Sequence, residues 1–201
     1  ARRADPRVAG ASAHMVWWGQ ITKTGRDAAQ SARLLSSSQF GDRSLVQLVG
    51  IDFDDERTTT EFDSALRNEP RWGPRDSRVA DFDDPFASPP GYRPDGRPAP
   101  SAIVGEQLLR QHGLHRGDEL NVVTVLFDDE TGELAPSNRV FVIAGTFRSG
   151  ENEMDLQRIY FERSELVDFL SSDRTYSVVL VKLHAYEENG EAVRDHWRAT
   201  L

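Results

Sequence analysis

The sequence predicts an α+β fold, and two kinds of segment and one interruption lead to that prediction. Runs rich in β-branched residues and bounded by turn residues indicate strands, of which the clearest are Leu120–Phe127, Val140–Phe147 and Tyr176–Leu183. Shorter stretches with apolar residues at helical spacing lie between the strands. Residues 68–100 hold eight of the ten prolines, which fix φ and remove hydrogen-bond donors, so this stretch is expected to be irregular.

Composition excludes several function classes. The chain has 201 residues and a formal net charge of −9, which argues against nucleic acid or an anionic membrane surface as a direct partner. Because it contains no cysteine, it has no disulfide, no thiolate nucleophile and no Cys-based zinc site. No apolar run approaches the roughly 20 residues that span a bilayer. The length suffices for one large domain or two small subdomains.

The first fifty residues predict a β-α-β unit. A strand covers Val8–Trp18, and a helix with Asp27 as its N-cap covers Asp27–Leu35. The next strand, Ser44–Ile51, is nearly continuously apolar, which is typical of a central strand.

Three side chains of the first strand allow specific expectations. Trp17 and Trp18 fall on opposite faces, so one of them is expected in the core. His14 has no second ligand at a suitable spacing, so we interpret it as a packed or hydrogen-bonded residue.

The most enzyme-like feature is an acidic cluster, Asp52–Glu56, that directly follows an apolar strand. Asp52 and Asp54 have the spacing found in haloacid-dehalogenase phosphatases, where two carboxylates at a strand end act as nucleophile and acid/base around Mg²⁺. That motif continues with Thr and an apolar residue, whereas two further acidic residues follow here, and the chain has only two lysines. We therefore expect a solvated acidic loop, with a Mg²⁺-dependent phosphatase as the alternative.

The stretch that follows is predicted to contain little regular structure. A short helix is expected within Thr58–Arg67, with Phe62 and Leu66 on its buried side. Further on, Asp81–Phe86 combines acidic and aromatic residues. We interpret it as a surface loop held by its aromatic side chains, with a partner-binding motif as the alternative.

A strand followed by a helix is predicted near the middle of the chain. The strand Ala102–Val104 passes through Gly105 into the helix Glu106–His112, and Gly113 is suited to a left-handed C-cap. His112 and the nearby His115 have a zinc-like spacing, but the helix is expected to end between them, which removes the geometry.

A hairpin is predicted next. The strands Leu120–Phe127 and Val140–Phe147 are joined by a polar connector, Asp128–Asn138, so they are expected to pair with a long tip between them. Ile159–Phe161 is expected to return as a third strand.

The C-terminal part predicts two helices on either side of a strand. Ser164 is a suitable N-cap for a helix over Glu165–Leu170. Tyr176–Leu183 is a strongly apolar strand, and Glu187–Leu201 is a helix with Val193 on its apolar side.

An ordered set of residues in the middle of the chain resembles a known family. The set consists of Ile103, Val104, Gly105, Leu108, Gly113, Leu114, Gly117, Asp118, Leu120, Val122, Gly145, Phe147, Ser149, Gly150 and Asp155. It resembles the MacB-like periplasmic core domain of ABC-transporter permeases, a group that includes lipoprotein-release permeases of the LolC/LolE type and FtsX-like permeases. The residues from Gly50 to Asp52 extend the resemblance upstream.

The resemblance implies a fold of two subdomains. Residues 1–53 and 176–201 would form a β-α-β subdomain similar to the porter subdomains of tripartite pumps. Residues 54–175 would form an inserted β-rich, Sabre-like subdomain, with residues 68–100 as an irregular insertion. The two chain ends are then expected to lie near each other. Because the chain begins at Ala1 rather than Met, we expect a fragment of a membrane protein with a transmembrane helix on each side.

The resemblance also implies a function without catalysis. The chain would be the periplasmic, or extracytoplasmic, domain of an inner-membrane ABC permease that couples movement of transmembrane helices to substrate handling or partner binding. Its implied partners are a second permease subunit, a cytoplasmic ATPase reached through the transmembrane part, and a periplasmic carrier or lipoprotein. No cofactor, metal or nucleic acid is expected.

One partner-binding segment follows from the same resemblance. In lipoprotein-release permeases a loop between two strands of the inserted subdomain acts as a hook for a periplasmic carrier, and the corresponding connector here is Asp128–Asn138. A plain hairpin tip is the alternative, because residues 129–132 are also an ordinary turn sequence. The candidate partner-binding residues are Asp128, Asp129, Glu130, Glu133, Leu134 and Pro136. Leu134 is the only apolar anchor expected, and Pro136 is expected to stiffen the exit of the loop.

Overall fold

The computed structural model describes residues 5–23, 45–71, 77–89, 92, 100–127 and 133–200. These residues form a mixed α/β fold. The strands are β1 (Val8–Lys23), β2 (Leu45–Ile51), β3 (Ser101–Gly105), β4 (Glu119–Phe127), β5 (Leu134–Phe147), β6 (Arg158–Glu162) and β7 (Val178–Leu183). The helices are α1 (Phe53–Thr59), α2 (Phe62–Arg67), α3 (Glu106–His112), α4 (Asn152–Gln157), α5 (Arg163–Phe169) and α6 (Tyr186–Thr200). Within these described ranges, no helix combines the length and apolar content needed to cross a bilayer.

The seven described strands form one sheet in the order β2-β6-β3-β5-β4-β1-β7. An additional pairing of β2 with β1 closes the first six strands into a ring. The β2–β6 and β3–β5 pairs are parallel, and the other pairs are antiparallel. The ring therefore has no free edge, and β7 is attached outside it.

The 16-residue strand β1 makes this arrangement possible, because its successive parts pair with different partners. Residues 8–14 pair with β7, residues 15–20 with β2 and residues 20–23 with β4. A single strand thus links the ring to the outer strand β7.

The core lies on both faces of the sheet. In β3 the neighbouring residues Ile103 and Val104 are both fully buried but belong to different apolar clusters. Successive side chains of a strand point to opposite faces, so a strand covered on both sides has a continuous apolar sequence. Aromatic rings pack within each cluster, as in the edge-to-face contact of Phe141 with Phe161, whose ring centroids lie 4.6 Å apart.

Several predicted elements are confirmed. Helix α3 has the predicted bounds, and Gly113 ends it with a φ of 58° in the left-handed region. The predicted β4–β5 hairpin forms, with the two strands antiparallel. The predicted helix over residues 27–35 lies outside the described residues.

One predicted helix start and one predicted strand start differ from the structure, and one helix was not predicted. Helix α5 begins at Arg163, and the residue at its N-cap is Glu162 rather than Ser164. Helix α4 was not predicted, because its sequence NEMDLQ is largely polar. Strand β5 begins at Leu134 rather than Val140, since its first residues pair with the end of β4.

The prediction that Asp52–Glu56 is a solvated loop is wrong. These residues form the N-cap and first turn of α1, where the Asp52 side chain accepts a hydrogen bond from the backbone N–H of Asp55. Carboxylates are favoured at this end of a helix, because its first N–H groups lack intrahelical partners. Glu56 is only 2% exposed, since the helix turns it inward.

The described residues between 68 and 100 form no α-helix or strand, as predicted. Asp83 and Asp84 are exposed, whereas Phe82 and Phe86 pack against the second core cluster, which confirms the interpretation as a surface loop held by aromatic residues. Val79 is buried against Gly145, where a side chain larger than hydrogen would meet the Val79 backbone nitrogen at 2.5 Å.

The two ends of the described chain lie side by side. Strand β7 pairs with the start of β1, and the His184 N–H donates to the Arg7 carbonyl at 3.0 Å. The Arg7 side chain and N–H donate hydrogen bonds to Asp5 and lower the pKa of that carboxyl to about 2, and the charge of His196 on α6 acts in the same direction. The expected proximity of the ends is therefore confirmed for the described residues.

Candidate functional site

The end of the β4–β5 hairpin projects beyond its neighbouring strands. The hairpin pairs continue to Phe127 and Leu134. Strand β1 pairs with β4 only up to Val123, and β3 pairs with β5 only from Val142 onward. Residues 124–127 and 134–138 therefore form a two-stranded ribbon, which we call the ribbon.

One face of the ribbon is apolar and exposed. In an antiparallel pair, directly opposite side chains share a face, so Val125 lies on the same face as Pro136. Leu134 and Val140 lie on this face too, because they are an even number of residues from Pro136. The register of β1 with β4 places Trp18 on this face as well. Trp18 is 49%, Val125 42%, Leu134 71% and Val140 39% exposed. We call these five residues the ribbon face.

The base of the ribbon is fixed to the rest of the fold. The Trp17 indole N–H donates to the Thr124 hydroxyl at 3.0 Å, and that hydroxyl donates to the Trp18 carbonyl at 2.8 Å. On the opposite face, the Arg139 guanidinium contacts Glu165 at 2.9 Å and Asp168 at 2.8 Å. The ribbon thus extends from a rigid base, which favours its use in binding. Both tryptophans are exposed, so the expectation that one of them lies in the core is wrong.

The structure describes half of the predicted partner-binding residues. Asp128, Asp129 and Glu130 lie outside the described residues. Glu133 is exposed at the start of β5, and Leu134 and Pro136 belong to that strand. The connector is therefore shorter than Asp128–Asn138. Pro136 lies opposite Val125 in the ribbon rather than in the exit of a loop.

Sequence reasoning found two residues of this surface, Leu134 and Pro136, and missed the other three. Val125 and Val140 were interpreted as ordinary strand residues, and Trp18 is more than 100 positions away along the chain. Only the register between three strands brings these residues onto one face.

A second feature is an acidic cleft of about 850 Å³ at the carboxyl ends of the parallel strands β2 and β6. Its lining includes six aspartates and one glutamate, namely Asp52, Asp54, Asp83, Asp84, Asp168, Asp173 and Glu162. Burial raises the pKa of Glu162, and the carboxylates of Glu165, Asp84 and Asp52 raise it further. This upward shift of the Glu162 pKa shows that the carboxylates around the cleft repel one another.

The two aspartates of the phosphatase alternative line this cleft without a catalytic arrangement. Asp52 uses a carboxylate oxygen to cap α1. Asp54 is 89% exposed in its side chain and lies 3.8 Å from Arg57. Across the described ranges, no three metal-ligating side chains are grouped to hold an ion. The structure gives no support to a phosphatase.

A third feature is a buried polar network between β1 and α1. The Ser12 hydroxyl and the His14 ring each lie 2.6 Å from one oxygen of Glu56, and the Thr60 hydroxyl donates to the other oxygen at 2.8 Å. Burial alone would raise the pKa of Glu56, but the hydrogen bonds from His14, Ser12 and Thr60 outweigh it and hold the pKa below its ordinary value. Because an ionised carboxylate only accepts, His14 Nε2 carries the shared proton. The interpretation of His14 as a hydrogen-bonded residue is confirmed.

The comparisons with known proteins give likenesses in structure but none in sequence family. No protein-family profile and no curated protein matches the chain. Among solved structures, the extracellular domain of the noncanonic ABC-type transporter YknZ from Gram-positive bacteria is similar, with a TM-score of 0.47 and 13% sequence identity. The likeness covers 94% of this chain and 73% of that chain. Values at this level do not assign the chain to that transporter's family.

Proposed function

We propose that the chain is the extracytoplasmic domain of an ABC-transporter permease of the lipoprotein-release or export type, with no catalytic activity of its own. In this role a cytoplasmic ATPase moves the transmembrane helices, and the domain transmits the movement to a substrate or partner outside the membrane. Its direct partners would be a second permease subunit and a periplasmic carrier or lipoprotein.

The observation that carries the proposal is the ordered set of residues from Ile103 to Asp155, several of which meet in space. Gly105 lets the backbone of Asp155 approach so closely that a Cβ at Gly105 would lie 2.7 Å from the Asp155 carbonyl carbon. The buried Asp155 carboxylate accepts hydrogen bonds from the Ser149 N–H at 2.8 Å and hydroxyl at 2.7 Å. The resemblance therefore involves residues of one structural unit rather than scattered single matches.

The position of the chain ends also supports the proposal. A domain inserted between two membrane helices needs its ends close together, and Arg7 and His184 are hydrogen-bonded neighbours. The division into residues 1–53 with 176–201 and residues 54–175 remains part of the proposal. Strand β7 pairs only with β1 among the described strands, whereas β2 pairs with both β1 and β6.

Within this function, the ribbon and its acidic tip form the partner-binding surface. The ribbon face supplies exposed apolar side chains, and residues 128–133 add four carboxylates in the sequence. A partner with an apolar pocket rimmed by basic residues would complement both features.

The location can be tested by cysteine labelling of the full-length protein freed of any cysteine outside this chain. Tyr186 is 76% exposed, so Tyr186→Cys should react with a membrane-impermeant maleimide in intact spheroplasts. Ala144→Cys is the matched control, because Ala144 is fully buried and should react only after unfolding. Labelling of Tyr186→Cys only after cell lysis would contradict the proposed location.

A further inference from the structure

A cleft of about 400 Å³ is lined by residues of α2 and α4 and shares no lining residue with the ribbon face or the acidic cleft. Its lining comes from the α1–α2 connection, α2, α4, the ends of β5 and β6, and Leu180 of β7. Clefts of roughly 300–1,000 Å³ are typical of small-ligand sites.

The main wall of this cleft is a rigid aromatic cluster. The ring centroids of Phe62 and Tyr160 lie 4.3 Å apart, and those of Phe147 and Tyr160 lie 5.1 Å apart. Met154 and Leu180 supply further apolar lining. Because the rings hold one another in place, an apolar ligand would find this wall already formed.

The cleft also contains a tyrosine hydroxyl that has no protein acceptor among the described residues. Tyr160 is 4% exposed, and its hydroxyl accepts a hydrogen bond from the Arg158 guanidinium at 3.2 Å. Among the described residues, the Tyr160 hydroxyl donates to no protein acceptor, and the Arg158 side chain makes no other hydrogen bond. Burial raises the pKa of Tyr160, so this hydroxyl keeps its proton and remains a donor. A buried donor of this kind is costly unless something accepts from it.

The charges around the cleft restrict the acceptor. The negative charges of Glu56 and Asp155 raise the pKa of Tyr160, and the positive charge of Arg158 lowers it. The electrostatic environment of the hydroxyl therefore disfavours a further negative charge, apart from the effect of Arg158. Glu61 and Glu151 also line the cleft. A ligand carboxylate would therefore meet several carboxylates, whereas a neutral carbonyl oxygen would not.

We propose that this cleft is a binding site for a small apolar molecule that carries a neutral amide group. The amide carbonyl accepts from the Tyr160 hydroxyl and the Arg158 guanidinium. The amide N–H donates to the cleft-lining carboxylate oxygen of Glu56 that accepts from Thr60, and the apolar part packs on the aromatic wall.

The proposal can be tested with N-acetyl-leucinamide as the probe and N-acetyl-leucine as its charged counterpart. Titration into the ¹⁵N-labelled chain at pH 7 should shift the amide resonances of residues around Tyr160 and Met154. A ligand of this size is expected to bind with a Kd on the order of 1 mM. The carboxylate probe should bind at least about fivefold more weakly, because it meets Glu56 and its acidic neighbours.

Two variants locate the binding, and a third serves as control. Tyr160→Phe keeps the ring and removes the hydroxyl, so it should weaken binding about fivefold, as expected for one lost hydrogen bond. Met154→Ala should weaken binding about threefold without touching the polar groups. Tyr92→Phe removes a hydroxyl that donates to Glu119 elsewhere and should leave binding unchanged.

Three results would overturn the proposal. The first is equal binding by Tyr160→Phe and the parent chain, and the second is equal or tighter binding of the carboxylate probe. The third is the absence of shifts around the cleft, including the case in which shifts map to the ribbon face or the acidic cleft. The same spectra report whether each variant is folded, so a loss of binding through unfolding is recognised directly.

Discussion

Gly105 and Asp155 show how single residues determine the centre of this fold. Gly105 ends β3 and begins α3, and its missing side chain leaves room for the backbone of Asp155 in α4. The Asp155 carboxylate then binds Ser149, which holds the chain that leaves β5. A sequence pattern identifies the glycine and the aspartate. It does not predict their contact, because 50 positions separate them along the chain.

We predict that Gly105→Ala destabilises the chain strongly. A Cβ at this position would lie 2.7 Å from the carbonyl carbon and 2.9 Å from the Cα of Asp155, and backbone cannot move away as a flexible side chain can. The free energy of unfolding should fall by about 2–3 kcal/mol, as expected for overpacking. Urea unfolding followed by circular dichroism measures it.

Gly190→Ala is the matched control for this glycine substitution. Gly190 lies in α6, and its nearest contact is the ring of Tyr186 at 3.2 Å, which is a side chain able to shift. Alanine is the better helix former, so stability should rise by up to about 1 kcal/mol. A similar loss of stability in both variants would mean that the contact with Asp155 is not the cause.

We predict that Glu56 makes stability depend on pH in the acidic range. Its folded-state pKa lies below the ordinary value of 4.5, so its stabilising contribution is complete above pH 4.5. That contribution is lost as the pH falls through the lower folded-state pKa. Glu56→Gln should cost about 1–3 kcal/mol at pH 7, because it replaces a buried carboxylate that accepts hydrogen bonds from Ser12 and Thr60 and lies 2.6 Å from the His14 ring.

The measurement compares urea unfolding of the parent chain and Glu56→Gln between pH 7 and pH 3. The difference between the two should shrink steadily below pH 4.5, and Glu61→Gln, on an exposed neighbour, should behave like the parent chain. A difference that stays constant down to pH 3 would show that Glu56 is not ionised in the folded chain.

At the scale of elements, the predictable parts are those whose own residues favour one conformation. The apolar, β-branched sequences of β2, β4 and β7 and the glycine-ended helix α3 were found in this way. Strand β5 was found only from Val140 onward, because residues 134–138, LAPSN, contain residues that are depleted in strands. Pairing with β4 overrides that preference, and Pro136 is tolerated where the ribbon has no further neighbour.

The candidate site was less predictable than the fold for a related reason. The acidic tip is a local property of the sequence, whereas the ribbon face depends on the register of β1, β4 and β5. The burial of Glu56 likewise depends on which side of α1 rests on β1. A pattern along the chain identifies a helix or strand, but it does not say what the neighbouring element places beside it.

We predict that the ribbon face contacts a partner in the intact permease. A photo-cross-linking residue at position 134 of the full-length protein should give a covalent adduct in cells, because Leu134 is the most exposed apolar residue of the ribbon face. Leu156 on α4, 37% exposed, is the matched control site. The adduct at position 134 should be several-fold stronger, and its yield should fall with added salt, since the tip is acidic.

Equal adduct formation at positions 134 and 156 would contradict this prediction, because it would indicate unselective contacts. If an adduct forms but its yield does not change with salt, the apolar ribbon face contacts the partner and the acidic tip does not contribute.

At the scale of the whole molecule, the closed ring of six strands and the adjacency of the chain ends have a common origin in β1. Its second half closes the ring between β2 and β4, and its first half reaches out to β7. The chain therefore enters and leaves on the same side, while the ribbon extends from β4 and β5 within the ring. This geometry separates the ends from the proposed partner surface.

The last prediction is that a circular permutant of this chain folds to the same structure. The Asp5 carboxylate senses the charge of His196, and Thr200 lies one helical turn, about 6 Å, beyond that residue. A Gly/Ser linker of about six residues between Leu201 and Ala1 spans about 13 Å on average, and residues 1–4 and 201 add further length to the connection between Asp5 and Thr200. New ends between residues 130 and 131 fall between β4 and β5, outside both strands. The free energy of unfolding of the permutant should lie within about 1 kcal/mol of that of the parent chain, because joining close ends and opening a hairpin connection change only loop entropy.

The control is the same cut without the linker, as two fragments, which should associate only at high concentration. A permutant that fails to unfold cooperatively would show that the adjacency of the ends, and with it the case for a domain inserted between membrane helices, is incorrect.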